Sequence, residues 1–332
     1  MSTTLATNKF TWLVKREFWE YRGSFFWAPI ITAMVMIAFV LFGLILTEMT
    51  AHQHGVSISG FDVSKITAAM GADDVEKLHS ALDVSLLSMS FPIGIVLFFV
   101  LFFYCTGTLY NERADRSVLF WKSLPFSDME SVLAKLFAVA LVAPMLAVAG
   151  MIMLQLGFLI LISLYTLFHG INALPLLWSP THLTSLWFKL IIRIPVNSLW
   201  ALPSIGWLFL CSSFVRSKPF LWAVMLPVVS GVIVSMMKLM QSFSLESGWY
   251  WRHIVGRLLL SLIPGSWMWM DFGPANLAHL GNNPLEMADN FLSLSTLANE
   301  LASPDIWIGA AVGVAMIAAA IYFRQRRVEA FA

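Results

Sequence analysis

The sequence predicts an all-α integral membrane protein with six transmembrane helices. Three observations predict it. Hydrophobic residues make up 59% of the 332 positions and charged residues only 12%, too little polar surface to cover a soluble globule of this size. Six apolar runs contain no Asp, Glu, Lys or Arg and are close to the roughly 20 residues that a helix needs to cross about 30 Å of hydrocarbon. The basic residues are sorted to one side of those runs.

The chain reads as a single transmembrane domain over residues 1–332. Residues 8–23 form an amphipathic interfacial helix, with Phe10, Leu13, Val14, Phe18 and Tyr21 on one arc and Lys15, Arg16, Glu20 and Arg22 elsewhere. Glu17 falls inside the apolar arc, where amphipathicity does not explain it. Trp12 and Trp19, seven residues apart, project together from the opposite arc and suit a protein partner or the lipid headgroups.

The spans are placed at 24–46, 86–110, 136–168, 194–215, 219–237 and 306–323, with extracytoplasmic loops at 47–85 and 238–305. The first run follows no apolar leader and precedes no small-residue cleavage site, so it is read as an uncleaved span. The third is longer than a bilayer and is expected to tilt or to break near Pro144 or Gly150. With both ends of the chain in the cytoplasm, thirteen of the twenty Lys and Arg residues lie inside, as the positive-inside rule requires. Lys189 and Arg193 then sit at the outer entrance of span 4, where snorkelling accounts for them.

Between spans 5 and 6, Leu258 to Met270 is uncharged, too short to cross, and interrupted by Pro264 and Gly265. That pattern predicts a re-entrant hairpin flanked at the headgroups by Arg252, Arg257, Trp267 and Trp269.

The charge-rich connector between spans 2 and 3, Asn111 to Lys135, carries the strongest functional signal. Ser127 followed by Glu130 is a capping box, which starts a helix near Asp128 and leaves Leu124-Pro125-Phe126 as a turn. Upstream, Arg113 to Trp121 forms a short helix whose basic and aromatic side chains suit a socket on a soluble partner, or a plain solvated loop.

Other chemistry is sparse. Cys105 and Cys211 lie within apolar runs and are read as small buried hydrophobes. His52 and His54 are close in sequence, but no helical i, i+4 His pair exists and a metal site is not expected. A net charge of +1 with no basic patch gives no reason to expect nucleic acid. There is no G-x-x-x-x-G-K-S/T phosphate loop, so nucleotide chemistry of that kind would belong to another chain.

At Glu112-Arg113, Leu119, Leu124-Pro125 and Lys135 the sequence resembles the ABC transporter permeases of the type V exporter fold, the ABC-two-type membrane domains. Those permeases read Glu-Arg, Gly-Thr, a leucine run, Pro, and a Lys entering the third span. Here Arg116-Ser117 stands in place of Gly-Thr, and Phe120-Trp121 in the leucine run.

The resemblance implies a non-enzymatic permease of a bacterial plasma membrane that pairs with a second copy or a paralogue and contacts membrane lipids. It binds no cofactor itself, and a separate ABC ATPase carries ATP and Mg. It implies an ATPase-binding surface at Trp12, Trp19, Glu112, Arg113, Arg116, Leu119, Phe120, Trp121, Lys122 and Pro125. It also implies a pathway lined by Phe91, Phe98, Phe102 and Cys105 of span 2 and Ser230 of span 5, carrying a hydrophobic or amphipathic cargo such as a lipid, peptide or drug-like compound. Two other classes stay open: a stand-alone secondary transporter or channel, which would want intramembrane acids and internal repeats, and a membrane-embedded enzyme or assembly factor acting through 238–305.

Overall fold

The computed structural model describes residues 2–54, 72–123, 126–171, 173–178, 180–239, 247–267 and 293–326. Among these the chain is helical with no strand, and six helices are long and apolar enough to cross a membrane. The protein is therefore a multi-pass membrane protein.

The spans are Gly23–Gln53, Lys77–Ala114, Asp128–Phe168, Leu183–Phe214, Pro219–Met237 and Pro304–Arg326. Most are longer than their uncharged cores, because the helices continue past the point where charge begins. The first outer loop is shorter than expected for this reason: span 1 runs on to Gln53, and the helix of span 2 already starts at Ala72. Likewise the helix of span 4 starts at Pro180 rather than 194.

Span 4 is the centre of the bundle. It packs against spans 2, 3, 5 and 6, and 61% of its apolar window is buried, against 6% for span 1 and 17% for span 5. Lipid tails are as apolar as Leu, so helices in a bilayer associate through close packing, and small residues let backbones approach. Spans 4 and 6 meet at Gly206 and Gly313: a Cβ on Gly206 would lie 2.5 Å from the Gly313 carbonyl oxygen. Spans 1 and 3 meet where Gly150 faces Pro29 and Gly157 faces Ile37. Gly150 is thus a contact point within a continuous helix, and the helix does not break there.

The expected irregularity of span 3 takes the form of a π-helical turn, Ala138–Val142, just before Pro144. Proline has no N–H to offer the carbonyl four residues back. That carbonyl, of Ala140, instead accepts a hydrogen bond from Ser198 Oγ of span 4, which converts a helix defect into an interhelical tie. Farther along, the buried Gln155 amide donates to Ser90 Oγ of span 2 at 3.1 Å and accepts from Trp187 Nε1 of span 4 at 2.9 Å.

Between spans 5 and 6 the described part of the expected hairpin is one helical leg, Ser247–Leu260, continuing through turns to Trp267. The returning leg and Trp269 lie outside the described residues. The leg packs on spans 4 and 5. Two of its residues correct the headgroup assignment: Arg257 and Trp267 are buried. The Arg257 guanidinium lies 3.4 Å from the Trp200 ring centroid and donates to the Asp305 carbonyl at 3.0 Å, so it ties the hairpin to spans 4 and 6. Arg193 is also buried, paired with Glu300 on the helix Leu294–Ala302, and so does not snorkel.

Replacing Gly206 or Gly313 by Leu is expected to force the backbones of spans 4 and 6 apart and cost about 3 kcal/mol. Thermal unfolding in detergent should show a lowered midpoint for both, whereas Gly43→Ala, whose added Cβ would meet nothing within 4 Å, should leave it unchanged.

Candidate functional site

The alternation of the spans brings the N-terminal helix Ser2–Glu20, the connector helix Ser117–Lys122 and the ends of spans 2, 3 and 6 to one membrane face. There the structure buries a charged cluster. Lys135 lies seven residues into span 3, about 10 Å along the helix, and its side chain is 1% exposed. Its ammonium donates to Glu17 Oε1 at 2.8 Å and to Thr108 Oγ1 at 2.9 Å, and lies 3.0 Å from Glu112 Oε1.

Each carboxylate has further partners. Tyr104 Oη donates to Glu17 Oε2 at 2.7 Å. Arg324 of span 6 donates to Glu112 Oε2 at 2.5 Å and to Asp128 Oδ1 at 2.9 Å, and Arg16 reaches Glu112 Oε1 at 3.2 Å. Glu17, Glu112 and Asp128 thus face Lys135, Arg324 and Arg16, and Arg16 also pairs with the exposed Glu20 at 3.3 Å. Charges removed from water are tolerated only in such paired, hydrogen-bonded arrangements.

This corrects the reading of the N-terminal helix. Its inward arc does not lie on lipid: Leu13 and Glu17 are buried, Phe10 meets Phe137 of span 3 edge-on at 5.9 Å, and Tyr21 meets Tyr104 of span 2 at 4.6 Å. Glu17, unexplained by amphipathicity, is the counter-ion of Lys135. Burial raises the Tyr21 hydroxyl's pKa above its ordinary value.

The connector helix is seated on this cluster. Arg16 connects the two, since its guanidinium carbon lies 3.5 Å from the Trp121 ring centroid while its Nη2 bonds Glu112. Span 3 starts at Asp128 under a complete capping box: Glu130 N donates to Ser127 Oγ at 3.1 Å, and Ser127 N to Glu130 Oε2 at 2.7 Å.

The ten residues implied as ATPase contacts fall into distinct groups. Trp12, Trp19, Leu119 and Phe120 are each more than half exposed, and Arg116 is exposed. Trp121 is half-buried beneath Arg16. Glu112 and Arg113 are buried and belong to the framework. Arg113 donates to the carbonyls of Ser212 at 2.6 Å and Val215 at 3.0 Å, capping the C-terminal end of span 4 with a cation. Lys122 ends the connector helix. Pro125 lies outside the described residues.

The five residues implied as pathway lining are not brought together. Phe91 is exposed and lines a cavity. Phe98 is half-buried against Phe102 at 5.8 Å. Phe102 and Cys105 lie in the main core. Ser230 bonds within the bundle, donating to the Pro227 carbonyl and accepting from Tyr250 Oη.

Sequence reasoning missed Arg324 and Asp128 as members of the cluster. The available signal was their repeated position, a charge within one or two turns of a span end on the same side as Glu112 and Lys135. Among the described residues no three metal-ligating side chains converge. Comparison with protein families, curated proteins and solved structures finds no match to this chain.

Removing one member of the cluster leaves its partners buried and uncompensated. Lys135→Met is expected to destabilise by about 3–5 kcal/mol. Adding Glu17→Gln should recover part of that loss, and a double-mutant cycle read by thermal unfolding in detergent measures the coupling. Additive losses would mean that the ion pair does not hold the N-terminal helix.

Proposed function

We propose that this chain is the membrane-spanning subunit of an ATP-driven exporter of the ABC type, taking mechanical work from a separate ATPase at the connector and N-terminal helices. The observation that carries this reading is the division of labour in the connector. Leu119 and Phe120 point outward while the same helix is anchored through Trp121, Arg16 and Glu112 to Lys135 of span 3 and Arg324 of span 6. A push on the exposed side is delivered to three spans and to the N-terminal helix at once.

Three further observations support it. Trp12 and Trp19 add exposed aromatic surface on the same membrane face, and large aromatics at the centre of a patch are the usual anchors of protein interfaces. Arg116, where the resembling permeases carry glycine, has φ 58°, in the left-handed region that glycine adopts freely. Spans 2 and 5, the pair that such permeases place at the dimer axis, share an exposed aromatic patch in which Phe103 stacks on Phe220 at 5.7 Å beside Phe99. A second copy of the chain would cover it. ATP and Mg belong to the ATPase, and the cargo is hydrophobic or amphipathic, in keeping with the uncharged cores of the spans.

Leu119→Asp and Phe120→Asp are expected to weaken binding of the partner ATPase by roughly thirtyfold, about 2 kcal/mol each. The thermal midpoint of the permease should not change, because both side chains are exposed. Co-purification and ATP turnover in the reconstituted complex check this. Arg113 is unsuitable for the purpose, since a charge reversal there would break the cap of span 4. Unaltered binding and turnover in both variants would refute the connector as the coupling surface, and uphill transport by the chain alone would favour a secondary transporter.

A further inference from the structure

A cavity of about 620 Å³ opens within the single chain, between spans 2, 3 and 4 and the turn of the hairpin at Ser261–Gly265. It runs along span 2 from Ser88 to Leu101, about 20 Å of helix, and its volume is in the range of sites that bury a small ligand, roughly 300–1,000 Å³. This is not the pathway between two permease copies, and of the residues expected to line that pathway only Phe91 reaches it.

The two ends of the cavity differ in chemistry. At the outer end lie Ser88 of span 2 and, one turn apart on the same face of span 4, Arg193 and Asn197. The Arg193 guanidinium is held by Glu300. Neither the half-buried Asn197 amide nor the Ser88 hydroxyl makes a hydrogen bond to any described residue, and both line a mostly apolar space. At the inner end the walls are Leu101, Val139 and Ile205. Other polar wall groups are already satisfied within the protein: Ser90 by the Leu86 carbonyl and Gln155, Ser198 by the Ala140 and Ile194 carbonyls, and Ser261 by the Arg257 carbonyl. Among the described residues no carboxylate lines the space, which argues against a cation as its occupant. Gly94 confirms that the middle is open, since a Cβ added there would meet nothing within 4 Å.

We infer that this cavity binds a single-chain membrane amphiphile, with its hydrogen-bond-accepting head at Asn197 beside the Arg193–Glu300 pair and its hydrocarbon body running inward to Leu101 and Ile205. A side-chain amide with no partner among the described residues, at one end of a mostly apolar chamber, favours a ligand that brings a hydrogen-bond-accepting head on a hydrocarbon chain. The outer position of the polar end fixes the orientation, with the head toward the outer headgroup level. The role of the occupant as cargo rests on the exporter reading above, but its binding does not.

The test uses the full chain alone in phosphatidylcholine nanodiscs. The probes are lysophosphatidylcholine and lysophosphatidylglycerol carrying a diazirine at the chain end or near the head, with cross-linked residues mapped by mass spectrometry. Chain-end probes should label Leu101, Val139 or Ile205, and head probes should label Ser88 or Asn197. Gly94→Phe, which fills the open middle, should reduce inner-end labelling roughly tenfold. Asn197→Leu should reduce it by roughly threefold to tenfold, as expected for loss of one buried hydrogen bond. If Gly94→Phe does not fold, Asn197→Leu decides.

Labelling confined to the lipid-facing residues of spans 1 and 5, inner-end labelling unchanged in the variants, or a reversed head-to-chain pattern would each overturn the site. Preference for the glycerol over the choline probe would assign an anionic head, and equal labelling would assign the shared phosphodiester. No ATPase is present, so failure here leaves the coupling surface untouched, and failure of ATPase binding leaves this site untouched.

Discussion

The burial of Lys135 between Glu17 and Glu112 is the constraint on which the rest of that end of the bundle depends. An ammonium 1% exposed at the end of a span is compatible with a folded protein only if its counter-charges arrive with it, and those come from the N-terminal helix and from span 2. Arg324 extends the requirement to span 6, and Arg16 extends it to the connector helix. Such a cluster contributes little net stability compared with an apolar core of equal volume. What it supplies is register: four separate segments can satisfy it in one arrangement only.

Away from the ionic cluster the bundle is held differently. Glycine contacts between spans 4 and 6 and between spans 1 and 3 bring backbones together, and the carbonyl that Pro144 leaves unbonded is taken up by Ser198. The hairpin leg is pinned by Arg257 against Trp200 and the start of span 6. Spans 2 and 3 meet at the ionic cluster, and away from it a chamber remains between them, span 4 and the hairpin turn. The same packing that makes span 4 the most buried helix gives that chamber one polar end.

The two functional readings therefore occupy opposite ends of one framework. Work applied at Leu119 and Phe120 would enter through the ionic cluster. Spans 2 and 3, which carry the cluster's central residues, are also two walls of the cavity, so a change of angle between them would alter its shape. The shared helices provide a physical route between the proposed contact surface and the proposed ligand site.

Much of this was legible in the residues. Uncharged runs of the right length located six spans, because a bilayer penalises charge at every position of a helix core, and Ser127 with Glu130 announced the start of span 3, because a capping box is local. Trp12 and Trp19 stood on the arc opposite the apolar one in the N-terminal helix and are exposed, as are Leu119 and Phe120 of the connector. What the pattern could not distinguish was a charge near a span end that faces water from one that is buried: Arg193 and Arg257 read as headgroup side chains, Glu112 and Arg113 as partner contacts, and Glu17 had no explanation, yet all five are buried. The sequence alone determined the number and order of the membrane helices, through the local rule that apolar length must match lipid. Only the tertiary structure decided which charges pair and where a cavity opens, since both depend on side chains from separate helices, as far as 212 residues apart for Arg324 and Glu112.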